Sequence, residues 1–358
     1  MKHLYSILFV TKGKKLAITA LLYFLFLLSP SLMKGGTISG TFTPLTDCPE
    51  NLTGMCVDPA TGIIYALAMN DGGFYSYTIS TDTWAPLAPQ PASSEAGATF
   101  LNGKIYVAYT PNVYLGDYIA VYTIATNTWT TITAPSGFTL STGAISNDGT
   151  NIYVIGYDCC PNVFSKYVVA SGEWVSLASW DSWDGDNSYG GLCYYNGYFY
   201  HHQGNGNSQF HRYHIATNSW ELLTAVPNPA ILGVAIDGAY YYCMGDYGET
   251  NLYSYDLGEQ VWNNTLTLPW QIYDASMCVY QGSLYIIQGE NATGFTKFGP
   301  GNPLLKNIEG TAISYTPGSS GAVNITTTLT TSQISGTNFA SATVTIQNFE
   351  TGKIFMFV

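Results

Sequence analysis

Residues 77–84 read YTISTDTW and residues 122–129 read YTIATNTW. The phrase returns as YVVASGEW (167–174), YHIATNSW (213–220) and YDLGEQVW (255–262). Tyr77, Tyr122, Tyr167, Tyr213 and Tyr255 therefore stand seven residues before Trp84, Trp129, Trp174, Trp220 and Trp262, and the tryptophans recur every 42 to 46 residues. Self-similarity at a near-fixed period marks a chain built from one repeated supersecondary unit. Upstream of each phrase lies a second marker, Tyr65, Tyr106, Tyr153, Tyr200, Tyr241 and Tyr285, inside apolar runs such as GKIYVAY (103–109) and GSLYIIQG (282–289). Further upstream come Gly-started runs, GATFLNG, GGLCYYNG and GVAIDG, which end in Asn102-Gly103, Asn196-Gly197 and Asp237-Gly238. Asn-Gly and Asp-Gly supply the positive φ angles that a two-residue hairpin needs.

Each unit thus reads as strand a, tight turn, strand b, variable loop, strand c, a T-x-T turn, and strand d carrying Trp. Four antiparallel strands every ~45 residues make a propeller blade. The Tyr-to-Trp spacing resembles kelch repeats, whose double glycine after strand b survives only singly, as Gly156, Gly204, Gly245 and Gly289. The strand b marker occurs six times and the Trp only five. The missing one is at the start, where FTPLTDCP (42–49) parallels WAPLAPQP (84–91) and puts Phe42 in the Trp slot. Residues 37–47 should therefore supply the outer strand of the last blade and close the ring, which removes an open edge. The expected architecture is all-β: a six-bladed β-propeller over 37–300 closed by an N-terminal strand, then a β-sandwich-like segment over 304–358.

Composition agrees. Of 358 residues, 9% are charged and 15% aromatic, with 29 Tyr; Tyr, Trp, Thr and Val suit pleated, half-buried surfaces. A net charge of −12 with no basic cluster beyond the N-terminus argues against a nucleic-acid partner. Lys2, Lys12, Lys14 and Lys15 precede the apolar run Leu16–Leu28. That run is shorter than the ~20 residues of a membrane span and suits a signal peptide, here 1–34. The protein is expected to be secreted or displayed on the cell surface. Of the seven cysteines, Cys48 and Cys56 flank one short connection and are the expected disulfide, whereas Cys56, Cys193 and Cys278 share one repeat slot and read as small buried side chains.

The a–b and c–d turns are short and alike, and share the bottom face. The b–c and d–a loops share the top face and differ from blade to blade, which is where binding surfaces are made on rigid scaffolds. The 179–189 loop, SWDSWDGDNSY, offers Trp180 and Trp183 as flat faces for sugar stacking. It also offers Asp181, Asp184 and Asp186 as oxygen ligands for Ca²⁺, the one cofactor the sequence suggests. His202 and the loop residues Asp246, Tyr247 and Glu249 complete the expected ligand-binding set. The expected partner is an extracellular glycan or protein.

His201, His202, His211 and His214 lie in one hairpin, but strand alternation lets at most two converge, His201 with His211, short of the three protein ligands of catalytic zinc. No G-x-S-x-G, H-E-x-x-H or phosphate loop is present. The copper and Tyr–Cys constellation of galactose-oxidase-like propellers does not map onto these residues. Top-face carboxylates, among them Asp158, Asp246, Glu249 and Glu290, leave room for an acid/base pair of the kind glycosidases use. Beyond Gly301 Trp vanishes and Thr, Ser, Ile and Val alternate. The run SATVTIQNF followed by GKIFMF is similar to cadherin-like and Calx-beta-like repeats of large bacterial adhesins. That resemblance implies adhesion or joining of copies into a filament through 304–358. Three functions are thus weighed: binding or adhesion module, structural subunit of an assembly, and carbohydrate-active enzyme.

Overall fold

The computed structural model describes residues 40–299 except 69–71, 92–96, 110–117, 136–138, 158–162, 180–189, 205, 229–230, 239 and 264–265. Outside that span it describes only the backbone of Thr19–Leu22, Leu305–Lys306, Thr330–Thr331 and Ala342–Thr345. The chain divides into two units, 34–337 and a smaller one of 1–33 with 338–358. In the smaller unit Thr19–Leu22 pairs antiparallel with Ala342–Thr345. The expected signal peptide and adhesin-like segment otherwise lie outside the described residues.

The larger unit is a six-bladed β-propeller, each blade an antiparallel sheet in the order a, b, c, d. Blade 1 comprises Leu52–Asp58, Ile63–Ala68, Phe74–Thr78 and Thr83–Pro86. Blade 2 comprises Gly97–Leu101, Lys104–Tyr109, Tyr118–Thr123 and Thr128–Thr133. Blade 3 follows with Thr139–Asn147, Ile152–Tyr157, Val163–Val168 and Glu173–Ser176. Blade 4 is Gly191–Tyr195, Tyr198–His202, Phe210–His214 and Ser219–Leu222. Blade 5 is Ile231–Ile236, Tyr240–Met244, Asn251–Asp256 and Val261–Trp262, with Leu266–Thr267 also on strand c. Blade 6 is Ser276–Tyr280, Ser283–Ile287 and Phe295–Gly299, completed by Thr41–Pro44 from the N-terminal side. There Phe42 faces Phe298 across the ladder.

The register explains the repeat. Each Trp of strand d faces the Tyr of strand c in its own blade: Trp84 and Tyr77, Trp129 and Tyr122, Trp174 and Tyr167, Trp220 and Tyr213, Trp262 and Tyr255. Every indole then donates Nε1–H to a backbone carbonyl of the preceding blade. The acceptors are Thr46, Ala88, Thr133, Ala178 and Thr224, at 2.7 to 3.0 Å. The polar residue of the T-x-T turn adds a second latch. Asp82, Asn127 and Asn218 sit at positive φ, near 50°. The Oδ1 of each accepts from the Tyr hydroxyl of its own blade and from a backbone N–H of the preceding one (Thr46, Ala88 and Ala178). Asn and Asp tolerate this left-handed conformation better than other non-glycine residues. The six buried clusters accordingly lie at the seams, where strands of adjoining blades interleave.

Two expectations need correction. In blade 5 the strand b marker is Tyr242, not Tyr241. Tyr65, Tyr106, Tyr153, Tyr200 and Tyr285 face Cys56, Thr99, Ser146, Cys193 and Cys278, and the matching pair is Tyr242 with Ala235. A slip of one residue puts a side chain on the other face of the sheet, so Tyr241 points into the seam with blade 4. The Cys48–Cys56 disulfide is also absent. Both thiols are free and buried, Cys48 within the blade 6–blade 1 seam and Cys56 in the blade 1–blade 2 seam. Cys56 and Cys278 are buried in their shared slot as expected, and Cys193 is partly buried there.

Candidate functional site on the top face of blades 5 and 6

Three top-face loops meet here: the b–c loop of blade 5 (245–250), the d–a connection into blade 6 (268–275) and the b–c loop of blade 6 (288–294). Their backbones are stitched together. Gly248 N–H donates to Ile272 at 2.8 Å, Ile272 N–H to Glu249 at 2.9 Å, and Leu268 N–H to Thr250 at 2.7 Å. Tyr273 N–H donates to Gln288 at 3.0 Å, and Glu290 N–H returns to Tyr273. Tyr273 and Gly289 form a parallel bridge. Gly289 stands at φ +94°, and a Cβ there would lie 1.8 Å from the Tyr273 carbonyl oxygen, so only glycine lets the strands approach so closely.

On this platform Tyr247 projects outward, 52% exposed. Its ring meets Tyr273 edge to face at 4.9 Å and 72°, and its hydroxyl donates to Glu290 Oε2 at 3.2 Å. Asp274 lies beside them, only 8% exposed and itself at positive φ. Burial, and then the charge of Glu290, push its carboxyl up to about 6. The cluster therefore pairs an exposed aromatic face with two carboxyl groups, of which that of Asp274 is the one pushed up to about 6.

The expected loop residues divide their labour. Tyr247 faces outward. Asp246 Oδ1 accepts the backbone N–H of Tyr247 at 2.8 Å and shapes the turn. Glu249 is occupied internally, since Oε1 accepts from Asn228 Nδ2 and Oε2 from Asn251 Nδ2, both at 2.7 Å. His202 does not reach the face. It is fully buried between blades 4 and 5, its Nδ1 2.6 Å from the Tyr241 hydroxyl. Burial drives it to about 3 and His211 to about 4, and holds His201 well below its ordinary value. His201 and His211 do face each other across the ladder. No group of three or more His, Cys, Asp or Glu able to hold a metal occurs among the described residues. Trp180, Asp181, Trp183, Asp184 and Asp186, and with them the Ca²⁺ expectation, lie outside the described residues.

Tyr273 and Asp274 were not singled out from the sequence. They sit in a connection that the split outer strand of blade 5 makes irregular. The available signal was its length: Leu268 to Ala275 runs outside the named strands before entering a blade, and such stretches on this face carry the variable surface.

No family model matches the chain. Kelch-like protein terF of Aspergillus terreus is 24% identical over 262 residues, covering 62% of this chain and 55% of that protein. The chain thus spans about half the length of that curated relative. The solved structure of YjhT superposes with a TM-score of 0.56 at 14% identity, covering 72% of this chain and 96% of that one. At that identity the likeness speaks to the fold alone. Repeat, register and relatives together support a kelch-type propeller.

Proposed function

We propose that this kelch-type propeller is an extracellular binding module that engages a protein partner through the top face of blades 5 and 6. The observation that carries the reading is Tyr247, an exposed aromatic braced by Tyr273 and Glu290 on a backbone-stitched platform. Tyr supplies large contact area with few rotamers to freeze, which is why it anchors interfaces. Glu290 and Asp246 beside it favour a partner surface bearing Lys or Arg. The kelch-like relative supports a binding role, and the N-terminal Lys-then-apolar run supports export.

A second reading, a carbohydrate-active enzyme, is favoured by Asp274 and Glu290. A carboxyl pushed up to about 6 beside a second carboxyl is the kind of pairing that acid/base hydrolysis uses. One experiment separates the readings. The secreted full chain and its Tyr247→Ala variant are applied to arrays of extracellular proteins and of glycans, and released sugar is measured. Protein hits weakened about tenfold or more by Tyr247→Ala, at unchanged melting temperature, are expected. Glycan-only hits would move the partner class. Sugar release abolished by Asp274→Asn would establish the enzyme, and hits indifferent to Tyr247→Ala would remove this face from the function.

A further inference from the structure

Asp274 is 8% exposed, yet its carboxyl accepts no hydrogen bond and pairs with no cation among the described residues. Its neighbours on the blade 5 loop are engaged. Glu249 takes two side-chain amides, and Asp246 takes the backbone N–H of Tyr247. A buried carboxylate left without a donor carries a desolvation cost that a cation would relieve. Neither of its oxygens is wholly closed to solvent, so a group arriving from outside can reach them.

The backbone gathers other acceptors around it. Glu290 N–H donates to the Tyr273 carbonyl, and a Cβ on Gly289 would stand 2.8 Å from the Asp274 carbonyl carbon, so 289–290 lies against 273–274. Glu290 is thereby brought close enough to be the one charge that acts on Asp274, and both carboxylates act on the Tyr247 hydroxyl. Glu290 Oε2 accepts from that hydroxyl at 3.2 Å, which leaves Oε1 and the phenol oxygen free to accept in turn. Three acceptor groups thus converge, and no basic residue answers them. The ion pair found among the described residues is Arg212 with Glu221, on blade 4. Tyr247 and Tyr273, edge to face, add an aromatic wall.

We infer that Asp274, Glu290 and Tyr247 form a socket for one alkylammonium group, the side chain of a lysine on the protein partner. An ammonium brings three N–H donors to these three acceptor groups. Its charge replaces the water that burial denies Asp274. Its methylenes lie along the Tyr247 ring, where a cation also gains from the aromatic face. Lysine suits the site better than arginine because Asp274 is recessed. A compact charge on a slim stem reaches it, whereas the planar guanidinium fork is matched to an open, bidentate carboxylate. The inference rests on the top-face binding reading and deepens it, naming the group recognised and the residue that anchors it.

The test is ligand-observed NMR on the full chain with Nα-acetyl-lysine N-methylamide at about 10 mM, a concentration that reports millimolar affinity. The norleucine and arginine counterparts are the neutral and guanidinium controls. The lysine compound binds, the norleucine compound does not, and the arginine compound binds about fivefold more weakly or worse. Asp274→Asn keeps a residue that accepts a φ of 48°. It weakens the lysine compound about tenfold or more, and leaves the melting temperature at pH 7.5 unchanged or raised, because an unpaired buried charge is gone. Burial, and then Glu290, push Asp274 up to about 6, and the socket needs it ionised. Affinity therefore falls about tenfold from pH 7.5 to pH 5. The other titratable groups facing it are Glu290 and Tyr247, with Asp246 and Glu249 on the neighbouring loop; Asp274→Asn flattens the profile if Asp274 sets it. No binding of the lysine compound, equal binding of either control, binding unaltered in Asp274→Asn, or a free Asp274→Asn protein of lowered stability would each overturn the socket. The broader reading fails separately. Protein hits indifferent to Tyr247→Ala sink it whatever the lysine compound does. Hits weakened by Tyr247→Ala but unchanged when the partner's lysines are acetylated leave it standing and overturn the socket.

Discussion

At the scale of single residues, the indoles of strand d carry the seams. Trp129 is half-buried, packs on Phe74 of the preceding blade at 4.9 Å, and donates to Ala88 of that same blade at 2.9 Å. Trp129→Ala removes ring contact and hydrogen bond together, and should cost about 3–5 kcal/mol, read as a large fall in melting temperature. An unchanged melting temperature would show that the blade stands without its latch. The buried histidines make a second prediction. His201, His202 and His211 are held neutral by burial, with pKa values below the unfolded value near 6.5. Below that pH the unfolded chain binds protons that the folded chain refuses, so their contribution is fully present above pH 6.5 and is lost as pH falls towards 4. Asp274 acts the other way between about 6 and 3.8, because its folded pKa is raised. Three groups outweigh one, and the melting temperature should fall steadily from pH 7 to pH 4.5. Each proton is worth about 1.4 kcal/mol per pH unit. His202→Gln should flatten the curve; an acid-insensitive parent would mean that these rings are not held neutral.

At the scale of elements, one strand has outsized weight. Thr41–Pro44 pairs Phe298 and its neighbours, joining the first and last parts of the ring. The residues just after it serve blade 1 as well: Thr46 supplies the carbonyl that Trp84 Nε1 needs and the N–H that Asp82 accepts. Deletion of 37–47 therefore strips blade 6 of its outer strand and blade 1 of both its latches. Urea unfolding should then lose its single cooperative transition. A deletion protein that unfolds as the parent does would mean that the ring closes by other contacts. In blade 5 the outer strand is broken into Val261–Trp262 and Leu266–Thr267, and the irregular connection that follows is the element that delivers Tyr273 and Asp274 to the top face.

At the scale of the whole molecule, six similar blades make two very different surfaces. The bottom turns must satisfy hairpin geometry, so they stay short. The top loops are free of that constraint and carry individual residues. The inner strands of all six blades line one axial channel. Joining of copies through residues 304–358 is a proposal separate from the top face. Sedimentation of 37–358 with and without 304–358 is the measurement: loss of higher-order species on truncation is expected if that segment links copies. A monomer in both cases excludes the linking role.

The propeller, its six blades and its closing strand were legible in the chain itself, because the Tyr-to-Trp spacing and the Asn-Gly turns report local strand geometry that repeats. Phe42 was legible for the same reason, as a Trp substitute at the expected distance. The register of blade 5 was not, since two adjacent tyrosines satisfy an apolar pattern equally and only cross-strand pairing selects Tyr242. The fate of Cys48 and Cys56 was likewise undecided by spacing, because nearness in the chain says nothing about which seam a side chain enters. Of the site, Tyr247 was visible as an aromatic in a variable loop. Its bracing by Tyr273 and Glu290, the raised carboxyl of Asp274, the internal use of Glu249 and the burial of His202 depend on contacts between blades. Sequence determines what recurs along the chain. Only tertiary structure decides which unlike loops the closed ring brings side by side.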